Sequence, residues 1–249
     1  MTSPFHLITR ADDAGSCRSA NEAILDCVEA GTTKNVSFMA VGPEIVHAAE
    51  LLRGQGDIAC GLHVCLNAEW ETVKWGPLSN AQSLCDENGM FRAFPHQTKS
   101  FSFQGEEIFR EVEAQFLRLR ELGLPISYVD EHMGVSWIAP ELRAFIADLC
   151  AREGLFDAFP VPSLPDISGD GADLQTLEAR LEKAESERAV WVTHPGKIAP
   201  DMNAFFLEGG EAGAVARERD AERRLLCDGR LRALFEEREV KVCRYDGAD

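Results

Sequence analysis

The feature that most constrains this chain is an alternation of short β-rich apolar runs with stretches of helical spacing. The runs are Phe5 to Thr9, Asn35 to Val41 (NVSFMAV), Ile58 to Leu66 (IACGLHVCL), Ile126 to Met133, Ala189 to Thr193 (AVWVT) and Val240 to Tyr245. Such runs read as strands, and strands that alternate with helices point to βαβ units and a parallel sheet. The intervening helices are readable. Ser19 to Ala30 puts Ala23, Ile24, Cys27 and Val28 on one face, with Gly31 as the stop. Ile108, Val112, Phe116 and Leu119 form a stripe through Glu106 to Leu122, which Gly123 and Pro125 end. Pro140 opens a further helix with Leu142, Phe145, Ile146 and Leu149 turned inward, and one charged helix, Ala212 to Glu237, precedes the last run. The expected fold class is α/β, as one domain over residues 1–249. Two stretches, at about 67–103 and 160–173, lack this periodicity and are expected as loop insertions that rim a pocket.

Composition narrows the function. With 45% hydrophobic residues the 249-residue chain can build a substantial core. Its formal net charge of −17 repels nucleic acid and anionic membranes, so neither is expected as a partner. The eight cysteines form no C-x-x-C pair and read as free thiols of a reducing cytoplasm. The N-terminus shows no signal-peptide pattern, and no apolar run approaches the ~18 residues of a membrane span. No G-x-G-x-x-G follows the first strand, and Gly169-Asp170-Gly171 reads as a turn, so a dinucleotide site is not expected.

Chemistry gathers at the ends of the strands. Asp12 and Asp13 follow the first strand, His63 sits late in the third, Asp130 and His132 end the fourth, and His194 ends AVWVT before Pro195-Gly196. In parallel α/β folds the carboxyl ends of strands are where active sites form. Each item alone has an ordinary explanation: an Asp pair caps helices, a strand-end His often lies on a rim, and His-Pro-Gly is a turn. Their coincidence at equivalent ends is what those explanations do not cover. Asp130 and His132 are two apart, so they share one side of their strand. One carboxylate and two imidazoles can hold a divalent ion with positions open for water and substrate. The second carboxylate of the Asp pair can then act as general base and His194 as general acid. Adjacent residues of an extended strand point to opposite sides, so Asp12 and Asp13 are expected to differ in role unless the chain bends between them.

These residues carry a resemblance. Arg10-Ala11-Asp12-Asp13-Ala14-Gly15, Asn21-Glu22-Ala23-Ile24, Gly61-Leu62-His63, Asp130-Glu131-His132 and Thr193-His194-Pro195-Gly196 resemble the YdjC-like family. That family includes chitooligosaccharide deacetylases and hopanoid-biosynthesis deacetylases. The resemblance implies a distorted (β/α) barrel with parallel strands and helices outside. It implies one divalent metal ion, Mg2+ or Zn2+, on Asp13, His63 and His132, with Asp12 as base and His194 as acid. It implies a homodimer and a small-molecule N-acetylated sugar substrate. Arg217 falls where the family carries an arginine in its late helix.

Two positions depart from the family pattern. Gly134 stands where a second histidine is usual, and Arg10 where an asparagine is usual. Both bear on substrate choice. Trp70, Trp75 and Phe91 are candidate sugar-stacking residues, with ordinary packing as the alternative. Arg10 and Asp130 are candidates for binding substrate or supporting a ligand. The expected activity is removal of an acetyl group from an N-acetylated sugar. The alternatives are a metal-dependent esterase or other small-amide hydrolase, and a catalytically silent metal- or sugar-binding protein.

Overall fold

The computed structural model describes residues 4–94, 96–97, 104–138, 140–165 and 172–247. Parts of both expected insertions, including Gly169-Asp170-Gly171, lie outside the described residues. The strands are β1 (Phe5–Ala14), β2 (Asn35–Phe38), β3 (Ala59–Val64), β4 (Ile126–Glu131), β5 (Phe156–Asp157), β6 (Arg188–Thr193) and β7 (Val240–Val242). All their pairings are parallel, in the order β5-β4-β3-β2-β1-β6. β7 pairs with the start of β1, on the edge that β2 takes further along. The sheet curls into a half-barrel with helices around it, which is the expected α/β class.

Asn35 closes the junction where β7 gives way to β2. Its amide donates to the carbonyls of Thr9 and Cys243, both at 2.9 Å, and its side-chain oxygen accepts from the Tyr245 backbone at 2.8 Å. A buried amide with its donors and acceptor used in this way fixes register. Leu7, Ile8, Ala11, Val36, Phe38, Leu62 and Val129 are buried, as parallel strands covered by helices require.

The helices are α1 (Arg18–Glu29), α2 (Ile45–Leu52), α3 (Gly105–Glu121), α4 (Pro140–Glu153), α5 (Leu174–Glu182), α6 (Ala214–Leu226) and α7 (Gly229–Glu237). α3 buries the stripe Ile108, Val112, Phe116 and Leu119, and also two polar residues on that side, Glu111 and Gln115. These two tie down the chain that follows β3. Gln115 accepts from the Cys65 N–H at 3.1 Å and donates to its carbonyl at 2.7 Å, while Glu111 accepts from the backbone N–H groups of Leu78 and Ser79. The single helix expected over Ala212 to Glu237 is two, because the chain breaks at Cys227 and Asp228. The Asp228 carboxylate accepts from the Arg230 N–H and starts the second helix. No helix among the described residues is long and apolar enough to cross a membrane.

One irregularity shapes the site. Between Ala11 and Ala14, β1 takes three steps against two on β2, which is a β-bulge. Asp13 inside it is left-handed, with φ 64°, and Gly15 just beyond has φ 102°. Strain of this kind on a non-glycine residue persists only where the surroundings over-determine it. Beyond the bulge the Gly15 N–H donates to Asn21 Oδ1 at 2.7 Å, which locks the turn into α1.

Candidate metal centre and active site

The bulge decides what the two aspartates can do. A straight strand would turn Asp12 and Asp13 apart; the bent one brings both to His63. His63 Nε2 stands 3.7 Å from Asp13 Oδ1 and 4.0 Å from Asp12 Oδ2. His132, from the residue after β4, places Nδ1 3.3 Å from both Asp13 Oδ1 and His63 Nε2. The strand ends there because Met133 and Gly134 both adopt positive φ.

The other nitrogen of each ring is held by a carboxylate. His63 Nδ1 lies 3.1 Å from Asp130 Oδ1, and His132 Nε2 lies 3.1 Å from Glu69 Oε2. Ionised carboxylates only accept, so these nitrogens carry the protons. The lone pairs of His63 Nε2 and His132 Nδ1 then face each other and Asp13 Oδ1, a buried oxygen with no hydrogen-bond partner. Three acceptors at 3.3–3.7 Å repel one another unless positive charge sits among them. Donors each ~2.1 Å from one ion at tetrahedral angles stand about 3.4 Å apart, so the set fits a divalent cation. The carboxylate behind each imidazole is the support that metal-bound histidines ordinarily have. A second group, Asp12, His63 and Asp130, is also close enough, but Asp130 engages the His63 nitrogen that points away from Asp13.

Without an ion, protons on the rings can carry the positive charge that this site calls for, and an ion would displace them. Burial works against charge on both rings, yet Asp130 and Asp12 raise His63, and Glu69 raises His132 well above the ordinary histidine range. Burial pushes the Asp13 carboxyl up, but Arg219 and His132 outweigh it and hold it well below the usual carboxylate range. Arg219, from α6, donates to Asp13 Oδ2 at 2.7 Å. Arg10 grips Asp12 through two bonds of 2.6 and 2.7 Å and also reaches Asp130 Oδ2 at 3.0 Å. Asp130 takes a third contact from Ser37 at 3.0 Å, and Ser37 lies 2.8 Å from the Tyr128 hydroxyl. The Tyr128 ring lies over Gly61, where an added Cβ would come within 2.2 Å of it.

These groups open on a cavity of about 580 Å³. His194 lines it just past the end of β6, with its backbone N–H donating to Glu222 at 2.5 Å. Trp70 lines it too, its ring edge on Phe205 and the Arg219 guanidinium 5.5 Å from its centre. Trp75 and Phe91 do not line it. Trp75 is buried and donates to the Asn67 carbonyl at 2.7 Å, and Phe91 is buried, its backbone N–H donating to the Trp75 carbonyl at 3.0 Å. Those two are packing residues, and Phe94 is the second aromatic at the cavity. The first insertion therefore rims the site through Glu69, Trp70 and Phe94. The described part of the second does not: Leu164 and Ser163 lie beside Val190 of β6 instead.

Arg217 is the other candidate the structure sets apart. It is exposed and pairs with Glu211 at 2.9 Å. It faces a separate cavity of about 780 Å³ beside α6, whose other arginines, Arg224 and Arg230, are paired to Asp220 and Asp228. Arg219, two positions on, is the α6 arginine that enters the site. Its signal was helical spacing: Ala216, Arg219 and Asp220 form the buried i, i+3, i+4 face. Glu69 had no comparable signal, since it lies in an aperiodic loop.

The sequence profile described as YdjC-like protein matches residues 6–237. A carbohydrate deacetylase of Vibrio cholerae serotype O1 (strain O395) is 30% identical over 96% of this chain and 94% of its own length. A carbohydrate deacetylase of Geobacillus stearothermophilus is 26% identical over 97% of both chains. A crystal structure from Enterococcus faecalis V583 superposes with a TM-score of 0.79 over 98% of both chains at 18% identity, which bears on the fold alone. The half-barrel, its strand-end residues and a profile match over nearly the whole length agree: the chain belongs to the YdjC-like family.

Proposed function

We propose that this protein is a divalent-metal-dependent hydrolase that removes the acetyl group from an N-acetylated sugar. The observation that carries the metal is the buried meeting of Asp13 Oδ1, His63 Nε2 and His132 Nδ1, with Asp13 Oδ1 left without a hydrogen-bond partner. The relatives named carbohydrate deacetylases support the substrate class. When bound, the ion supplies a Lewis acid and lowers the pKa of water.

The chain's own residues would do the rest. Asp13, His63 and His132 hold the ion, and Asp130 and Glu69 orient the two imidazoles. Asp12 stands beside them at 4.0 Å from His63 Nε2, near enough to take the proton of the attacking water. Arg10 fixes both Asp12 oxygens, so the base is aimed before substrate arrives. His194, the residue after the separate strand β6, gives a proton to the leaving nitrogen. Trp70 and Phe94 line the cavity and are the aromatic side chains that would meet the apolar C–H surface of a sugar.

The test is acetate release from a panel of N-acetylated sugars, after chelation and with Mg2+, Zn2+, Mn2+ or Co2+ restored. Release that depends on the restored ion is expected. Release from O-acetyl substrates alone would make it an esterase. Tight ion uptake without any release would make it a binding protein.

A further inference from the structure

A second reactive pair lies outside the cavity, where α1 and α6 end side by side. Cys27 stands in α1 and Cys227 is the residue that closes α6, and their Sγ atoms are 4.0 Å apart. None of the eight cysteines is in a disulfide, and Cys227 is the exposed one among them. Cys27 is wholly buried in a cluster with Leu7, Leu226 and Leu231. The pair thus has an open member that solvent reaches and a closed member directly behind it.

The backbone holds the two in place. The Thr32 hydroxyl lies 2.6 Å from the Leu226 carbonyl oxygen and 3.3 Å from that of Cys27, so one side chain joins the ends of both helices. Charges of both signs lie around the open thiol. Arg223 sits one turn before it, and Arg223 and Lys197 reach Asp26, the neighbour of Cys27, at 3.3 and 3.2 Å. The hydrogen bond from Cys27 lowers the Cys227 thiol to about 7, with Arg223 and Lys197 assisting and partial burial and Asp26 opposing, while the same hydrogen bond and burial push the Cys27 thiol up. A thiol that is exposed, easily ionised and backed by a second thiol is what a redox-sensing cysteine requires. A disulfide has its sulfurs about 2.05 Å apart, so the pair has about 2 Å to close.

We propose that Cys27 and Cys227 form a peroxide-responsive site, in which Cys227 is oxidised first and Cys27 resolves it into an intramolecular disulfide. In the first step the Cys227 thiolate attacks one oxygen of hydrogen peroxide. The O–O bond breaks, and the departing oxygen leaves as water after taking a proton. Cys227 is then a sulfenic acid, oxidised by two electrons. In the second step the Cys27 sulfur attacks the Cys227 sulfur. The S–O bond breaks, and its oxygen leaves as a second water with the Cys27 proton. Two thiols and one peroxide become one disulfide and two waters. The bridge would join α1, which follows the Asp12–Asp13 bulge, to α6, which carries Arg219, so it would tie together the two elements that flank Asp13.

The experiment uses the full chain, reduced, freed of reductant, treated with hydrogen peroxide and mapped by mass spectrometry without reduction. Expected is a crosslinked peptide pair containing Cys27 and Cys227, short of two hydrogens and restored by dithiothreitol. Cys27→Ser should leave Cys227 as a sulfenic acid trapped by dimedone. Cys227→Ser should leave Cys27 reduced at the same peroxide dose. Wild-type protein in which Cys227 proceeds to the sulfinic acid while Cys27 stays reduced would overturn the proposal. So would oxidation of Cys243 ahead of either. The wild-type map decides alone if a variant fails to fold.

Discussion

Replacing Arg219 with methionine isolates the charge balance at the site. Arg219→Met keeps most of the apolar stem and removes the guanidinium, 2.7 Å from Asp13 with side-chain exposures of 8% and 3%. Breaking a buried ion pair by removing one partner costs about 3–5 kcal/mol, because it strands the other charge. Here His132, whose ring is raised by Glu69, can share the Asp13 charge in metal-free protein, so the low end, about 3 kcal/mol, is expected. At ~2–4 °C per kcal/mol for a chain of this size, Tm should fall by ~6–12 °C.

The pH must be near neutral. Asp13 is held below its unfolded value, so its contribution is present above a pKa of ~3.9 and is lost as pH falls through the folded value. A divalent ion on Asp13 Oδ1 would replace the missing positive charge. Thermal unfolding by circular dichroism, with chelator and then with saturating ion, should show the ion restoring more stability to the variant than to the wild type. An unchanged Tm in chelator, or an equal loss with and without ion, would refute the reasoning.

Three further outcomes are expected. Asp130→Asn and Glu69→Gln should each weaken divalent-ion affinity about 10–100-fold by calorimetric titration, since each orients a ligating imidazole; unchanged affinity would remove them from that role. Phe91→Ala should cost about 3–5 kcal/mol of stability with kcat/KM per folded molecule unchanged, whereas Trp70→Ala should raise KM; the reverse pattern would restore Phe91 as a sugar platform. Alkylation of Cys227 by iodoacetamide should accelerate through a midpoint of about 7, because the thiolate is the nucleophile and its pKa is lowered there; a midpoint near the ordinary thiol value of ~8.5 would contradict the Cys27 hydrogen bond.

Much of the arrangement was legible in the sequence. Strand ends are marked by period and by residue type, which gathers Asp12, Asp13, His63, Asp130, His132 and His194 at one end of the sheet; choosing Asp13, His63 and His132 among them rests on the resemblance to the YdjC-like family. What periodicity cannot show is a change of period. The bulge at Asp13 adds one residue to β1, and only that bend lets neighbouring aspartates share a cavity. The break at Cys227 did carry a signal, the turn pair Asp228-Gly229, but the helical spacing that resumes on both sides, with Leu226 before and Leu231 after, outweighed it. Choosing Arg217 over Arg219 depended on which way α6 faces, which the packing of Ala216 decides. Aromatic residues in an aperiodic loop carry no sign of facing inward or outward, so Trp75 and Phe91 could not be told from Trp70 and Phe94.

The central claim, ion-dependent deacetylation with Asp12 as base, is tested most directly by comparing Asp12→Asn with Asp13→Asn. Both are assayed for bound ion by elemental analysis and for acetate release from the best N-acetylated sugar. Asp12→Asn should retain the ion and lose about 10²–10⁴-fold in turnover, while Asp13→Asn should lose both ion and activity. Full turnover by an ion-loaded Asp12→Asn would contradict the claim, and loss of the ion from Asp12→Asn alone would exchange the roles of the two aspartates.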